Sequence, residues 1–312
     1  MVRRLEKQHN ALLFVTDIHG REEDVEHIIS HVQKQPVDAI ILGGDIPGNT
    51  KKSFHAILRP LTKLDVPVIV LPGSHENERV YKVVEKYDVW DCTKKRNCLV
   101  RYGEQELIFI PGSDVLTEGS GKFEGGNYQL VCREITQAQK GQRTKLLKEL
   151  QITKQVHYTQ TPQLRAYVEQ YSNVPGTQKL VFAHVPLQQK TKKGIDYAQF
   201  FVPKKDFDLD GSPVRVGQTI LTLDEGMSLD KSFVQKKAKN VGNPGLNRFL
   251  RSLRCSKFFC GHIHEAGRRA VDKNEKKIRP GKETKELYVN SGEGVLTRIE
   301  FPSRNTVSYR FY

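Results

Sequence analysis

At 312 residues the chain can bury a large core, and one domain with insertions suits it better than two. Its net charge of +14, from 50 Lys and Arg against 36 Asp and Glu, attracts polyanions and phosphorylated substrates without naming one. No run approaches the roughly 18–20 apolar residues of a membrane span, the first seven residues are too polar for a secretory signal, and five scattered cysteines without a CxxC support reduced cytoplasmic thiols over a zinc knuckle or disulfide framework.

The chain begins as a β-α alternation. An apolar run at 12–15 reads as a strand, and Val25, Ile28, Ile29 and Val32 then recur at helical spacing. The runs at 39–42 and 66–71 repeat this, followed by Phe54, Ile57, Leu58 and Leu61 and by Val80, Val83, Val84 and Tyr87. Asp17 to Asp45 is 28 residues and Asp45 to His75 is 30, the length of one βαβ unit, so right-handed crossovers set the three strand ends side by side. Beyond residue 98 the alternation loosens. Residues 99–102 and 106–110 read as an antiparallel pair turning at Gly103, and 144–152 and 162–172 as helices.

Two strands, 180–182 and 258–259, flank residues 185–240. That stretch lacks sustained periodicity, carries Lys runs and reads as loops or a cap. Residues 185–260 hold 14 basic against 7 acidic side chains, half of the excess charge in a quarter of the length. Aromatics do not interleave with these runs as on a single-strand stacking platform. A helix starts at Asn243 as N-cap with Pro244 at N1, 273–285 reads as a solvated charged tip, and 288–290 and 307–311 read as closing strands.

Five fragments carry the chemistry: Asp17-Ile18-His19, Gly43-Gly44-Asp45, Gly73-Ser74-His75-Glu76, Ala183-His184 and Gly261-His262-Ile263-His264. Each follows an apolar strand, so metal-binding residue types recur at strand C-termini, where open sheets carry their sites. Asp17, Asp45 or His184 alone would read as a turn residue or a core histidine; the set reads as a two-metal hydrolase. Bringing His262 and His264 to one site requires a tight turn at Gly261, because alternate residues of an extended segment face opposite ways. His9, His27, His31, His55 and His157 fall outside the motifs, and Glu265 and Asn290 read equally as supporting groups or as turn polarity. Residues 119–122 lack the Gly and Ser/Thr of a P-loop, no G-x-S-x-G elbow occurs, and neither His75 nor His264 opens an H-E-x-x-H.

In this order the motifs resemble the calcineurin-like metallophosphoesterases from Leu12 to about Asn290. Asn240-Val241-Gly242, the stretch from Gly261 to Ala266 and Val289-Asn290 are similar to the archaeal and bacterial phosphoesterases related to cyclic-nucleotide phosphodiesterases. The resemblance implies an α/β fold, a four-layer α-β-β-α sandwich of two mixed sheets, as one domain over 1–312 with insertions at about 115–178 and 185–240. It implies that Asp17, His19 and His264 bind a first metal, that Asp45 bridges, that His184 and His262 bind a second, and that a bridging hydroxide attacks phosphorus while His75 contacts the phosphate and assists the leaving group. It implies two divalent or trivalent ions, manganese first, with iron, nickel or zinc as alternatives; imidazole with carboxylate disfavours an all-oxygen Mg or Ca cage.

Ser74 departs from the family's usual Asn ligand of the second metal, and Glu76, where Asp is commonest, keeps a carboxylate able to orient His75. The expected activity is a phosphodiesterase acting on a cyclic nucleotide, a nucleotide or another phosphodiester. The alternatives are a nuclease on DNA or RNA, which the basic charge would suit, and a non-catalytic scaffold with a weakened second site.

Overall fold

In the computed structural model the described residues are 2–47, 51–76, 78–113, 170, 177–209, 212–216 and 227–312. A short strand Arg3–Leu5 (β1) precedes Ala11–Val15 (β2), helix Glu22–Lys34 (α1), Ala39–Leu42 (β3), helix Lys51–Leu61 (α2) and Val68–Val70 (β4). The acidic first turn of α1 (Glu22, Glu23, Asp24) and its basic last turn (His31, Lys34) complement the helix dipole. The spacing at 80–87 gives a broken helix, an α turn Glu78–Tyr81 (α3) followed by a 3-10 turn Lys82–Lys86; Val80, Val83 and Val84 are buried as expected. Trp90–Asp91 (β5), Leu99–Tyr102 (β6) and Gln105–Ile110 (β7) follow, the last two pairing antiparallel about Gly103.

Next come Gln178–Ala183 (β8), Tyr197–Pro203 (β9), Phe207–Leu209 (β10), Ser212–Val214 (β11), Val234–Asn240 (β12), helix Pro244–Ser252 (α4) and Lys257–Cys260 (β13). Arg269–Val271 (β14), Leu287–Asn290 (β15), Thr297–Glu300 (β16) and Ser308–Phe311 (β17) complete the chain. Asn243 caps α4 as its sequence requires, its side chain accepting from the N–H of Gly245 and Leu246. The expected helices at 144–152 and 162–172 lie outside the described residues apart from Gln170, which is helical. Among the described residues no helix is long and apolar enough to cross a membrane.

Thirteen of these strands form two mixed sheets. One runs β17-β16-β2-β3-β4-β5, with β2 to β5 parallel; the other runs β1-β6-β7-β8-β13-β15-β14, with β7, β8, β13 and β15 parallel. Alternation within each strand sorts the core into layers. Leu12 and Phe14 of β2 face the second sheet, while Leu13 and Val15 meet α1 and α2. Phe109 and Phe182 of the second sheet face inward, while Ile110, Val181 and Phe258 pack on Leu246, Phe249 and Leu250 of α4. Among the described residues α1 and α2 pack on the outer face of the first sheet and α4 on that of the second, which explains why β2, β3 and β13 are buried along their whole length.

Residues 185–240, read from the sequence as loops or a cap, contain paired strands. β9 and β12 pair antiparallel over seven residues, and β10 pairs with β11. These β-ribbons lie among the described residues of the stretch, and the Lys-rich strand β12 is exposed from Gln235 to Lys239.

Phe182 stacks on Phe109 at 5.3 Å and Phe259 at 5.1 Å between ring centroids, and meets Phe14 of the opposite sheet at 5.6 Å. Phe182→Ala should therefore lower unfolding stability by about 3–5 kcal/mol, read from denaturant melts. A loss below about 1 kcal/mol would show that this layer is not a packed core.

Candidate metal centre

The ends of β2, β3, β4, β8 and β13 converge, and the site is built on the loops that leave them. Asp17, His19, Asp45 and His262 have φ of 56°, 52°, 52° and 69°, in the left-handed region that non-glycine residues rarely enter. Each loop turns sharply there, and backbone bonds hold the turns: Asp17 N–H to Gly44 O at 3.0 Å, His19 N–H to Asp45 O at 2.9 Å, and Gly20 N–H to Ile46 O at 2.9 Å.

The two aspartates are held alike. Oδ2 of Asp17 accepts from the Thr16 hydroxyl and the His262 N–H, both at 3.0 Å, leaving Oδ1 to face His264 Nε2 at 3.3 Å and His19 Nε2 at 4.0 Å. Oδ1 of Asp45 accepts from the N–H of Ser74 and His75 at 2.5 and 2.8 Å, leaving Oδ2 to face His184 Nε2 at 3.0 Å and accept the Ser74 hydroxyl at 2.7 Å. Both loops need glycine: a Cβ at Gly261 would collide with Asp17 Oδ2, and one at Gly73 with Asp45 Oδ1.

Six side chains thus gather into two clusters, Asp17–His19–His264 and Asp45–His184–His262, each with one ligand atom per residue within 4.8 Å of the others. Nitrogens of two imidazoles face each other in both, His19 Nε2 to His264 Nε2 at 3.4 Å and His184 Nε2 to His262 Nδ1 at 3.1 Å. That spacing suits two ligands of one ion at roughly 2.0–2.1 Å from each. One carboxylate and two imidazoles per cluster fit a transition-metal or zinc ion. The expected turn at Gly261 is present, with Ile263 N–H bonded to Gly261 O at 2.8 Å, and it sends His262 to one cluster and His264 to the other.

The remaining motif residues lie alongside. His75 is half exposed, its Nε2 3.8 Å from Asp45 Oδ2 and its ring edge-on to His19 at 5.2 Å. Glu76 is fully buried and accepts from the N–H of Gly73 (2.7 Å), Asp45 (3.2 Å) and Ile46 (2.7 Å), clasping the second and third loops together. Asn290 is buried, and its amide donates to the carbonyls of Ile195, Gly261 and Ile263, which fixes the 261–263 turn. Glu293 escaped the sequence reading. Its carboxylate lies 3.4 Å from His264 Nδ1 and pairs with Arg21, which also donates to Asp17 O at 2.9 Å. No motif marks Glu293; a carboxylate soon after the Val289-Asn290 strand end was the only signal.

Electrostatics follow from this geometry. Burial would raise the Asp45 carboxyl, but the charge and hydrogen bond of His184, with His262 and His75, hold it well below the usual range. Burial and the Asp45 charge push Glu76 up to about 7. Burial opposes a charge on His184, yet Asp45 lifts it to about 9. Burial lowers His19, whereas Asp17 overcomes burial to raise His264.

The calcineurin-like phosphoesterase family model matches residues 11–266. A dimetal phosphatase from Danio rerio is similar in fold, with 11% identity, 98% of this chain and 96% of that one covered, and a TM-score of 0.52. A Thermus thermophilus protein aligns over 97% of this chain and 99% of its own at 10% identity and a TM-score of 0.44. A putative 5'-nucleotidase from Staphylococcus aureus aligns over 96% of this chain and 52% of its own at 11% identity and 0.42. No curated protein matches the sequence.

His184 Nδ1 lies 3.1 Å from the Gly43 carbonyl, an acceptor, so Nδ1 carries a hydrogen and the titrating proton sits on Nε2 toward Asp45. A cation can take Nε2 only after that proton leaves. With His184 at about 9, Mn loading near neutral pH should release about one proton, and affinity should rise as pH climbs toward that value. Calorimetric titrations in buffers of different ionisation enthalpy count the proton; no release, with affinity flat in pH, would contradict the assignment.

Proposed function

The chain belongs to the calcineurin-like phosphoesterase family, and on that premise we propose that it is a metal-dependent phosphodiesterase with a two-metal centre, acting in the cytoplasm on a cyclic nucleotide, a nucleotide or another phosphodiester. The observation that carries the reading is the pair of carboxylate–imidazole clusters at adjoining strand ends.

In this reading Asp17, His19 and His264 hold one ion. Asp45, His184 and His262 hold the other, with Ser74 placed to assist through a hydroxyl already 2.7 Å from Asp45 Oδ2. Asp45 keeps one oxygen, Oδ2, free of the backbone donors that occupy Oδ1, and it is the residue that would be shared between the two ions. Two such cations, manganese by preference, would neutralise phosphoryl oxygens and make water a stronger nucleophile. His75 is the most exposed of these histidines and reaches a phosphate from the solvent side, where it donates a proton to the departing oxygen. Ser74 and His75 give their N–H groups to Asp45, so the loop that presents His75 is fixed against the bridging carboxylate. Glu76 locks the same loop to the turn at Asp45 and Ile46.

The test is hydrolysis of a chromogenic phosphodiester beside the monoester across Mn, Ni, Zn and Mg, with bound metal counted on the same sample. Two ions per chain and diester turnover are expected. His75→Ala should lower kcat by about 10²–10⁴ with metal content unchanged; unaltered turnover would remove His75 from the reaction. One ion or none, without turnover under any metal, would make the scaffold reading the leading one.

Ser74→Asn should tighten the second ion and raise turnover, because an amide oxygen is the better neutral ligand. Equilibrium dialysis against a metal buffer reads the first effect, and no change in occupancy or rate would place Ser74 outside the ligand shell.

A further inference from the structure

A charged concavity shares no lining residue with either cluster. A cavity of about 1350 Å³ opens between residues 191–193 and 268–282. Eight Lys and Arg side chains line it, against one acid, Glu275. Glu275 is buried, and its carboxylate accepts the N–H of Lys190 at 2.6 Å and Thr191 at 2.8 Å, so its charge is spent on joining the two walls. Arg269 makes a second tie, donating to the carbonyls of Lys192 at 2.8 Å and Gly194 at 2.9 Å. The exposed Lys192, Lys193, Arg268, Lys276, Lys277 and Arg279 are therefore carried on a framework already closed before any ligand arrives.

Lysines often guard an edge strand such as β14, but guarding needs no second wall and no buried carboxylate to pin it. The concavity exceeds the roughly 300–1,000 Å³ of a small-molecule pocket. It has no aromatic side chain in its lining, so it offers bases nothing to stack on. A dense, regular row of phosphates, one charge per about 1.7 Å of axis in a duplex, is the ligand that so many convergent cations match. The wall carrying Arg268 begins four residues after His264 of the first cluster.

We propose that this concavity binds the phosphate backbone of a nucleic-acid duplex without reading its sequence. Binding here does not depend on the hydrolytic reading, since the groove shares no residue with the clusters.

The experiment is fluorescence anisotropy on the full chain with labelled 20-base-pair RNA and DNA duplexes and the matching single strands, repeated over a salt series. The duplexes should bind with log Kd changing by about four per decade of salt, as four to five phosphate contacts require. The triple variant Lys276→Gln, Lys277→Gln, Arg279→Gln should weaken binding at least tenfold and flatten the salt slope. Lys192→Gln with Lys193→Gln, on the opposite wall, should weaken it as well. Lys236→Gln, Lys237→Gln, Lys239→Gln on exposed β12 removes the same charge and should change Kd less than twofold. Thermal midpoints of all variants should match the wild type. Equal losses from both triple variants would reduce the effect to net charge and overturn the proposal. So would tighter binding of the single strands, or of poly-glutamate, or no duplex binding at low salt.

Discussion

A carboxylate sealed from water remains ionised only among hydrogen-bond donors and positive charge, and Asp45 is nearly inaccessible. Its two oxygens divide the task. Oδ1 takes the N–H groups of Ser74 and His75, and Oδ2 takes the Ser74 hydroxyl and faces His184. Glu76 returns the contact, since it takes the N–H groups of Asp45 and Ile46 from the opposite loop. Each acidic side chain thus satisfies the backbone of the loop that carries the other. The clasp fixes the turns after β3 and β4 and, through His184, the end of β8. Burial disfavours the Glu76 anion and the charged Asp45 beside it adds to that, so Glu76 is pushed up to about 7, while His184, with His262 and His75, keeps Asp45 low against its own burial.

The same loops hold strain. Asp17, His19, Asp45 and His262 all adopt left-handed backbone, where each non-glycine residue costs about 1–3 kcal/mol. Glycine would be cheaper at every one of these positions but would bring no ligand. What offsets the cost is mutual: the N–H groups of Asp17, His19 and Gly20 bond to the carbonyls of Gly44, Asp45 and Ile46, so one strained turn supports the next. Four of the eight described non-glycine residues at positive φ are these chemistry-bearing positions on adjoining loops, and such clustering is the pattern of a site, where local conformational preference yields to placement of functional groups.

Much of this was legible because the informative residues follow elements with strong periodicity. Strand β3 matches its apolar run end for end, and α4 starts where Asn243 and Pro244 say it must. The converging aspartates and histidines were readable for the same reason: each comes directly after such a strand. The ribbons at 185–240 were not readable. β12 runs Gln235, Lys236, Lys237, Ala238, Lys239 with all five exposed, so neither face packs on a core and no period of two is written into it. β1 and β5, of three and two residues, are too short to carry a pattern and are defined by pairing with β6 and β4. Glu293 was hidden because its role arises from a turn through Gly292 and Gly294, both at positive φ, that returns it to His264.

The two clusters also divide their ligands between the sheets. Asp17 and His19 leave the six-stranded sheet and meet His264 from the seven-stranded one; Asp45 leaves the former and meets His184 and His262 from the latter. Any ion held by either cluster therefore joins the two halves of the sandwich at the rim above the Phe14–Phe182 contact. The free energy of binding such an ion becomes free energy of folding, because no unfolded chain brings these six side chains together. At an ion concentration 100 times its Kd that linkage contributes about 2.7 kcal/mol per site. It is of the same order as burying one large core side chain, so the catalytic centre proposed here would double as a fastening between sheets. The arrangement would let the protein tolerate four strained residues at that rim, since the loops that carry the strain are the ones the ions would draw together.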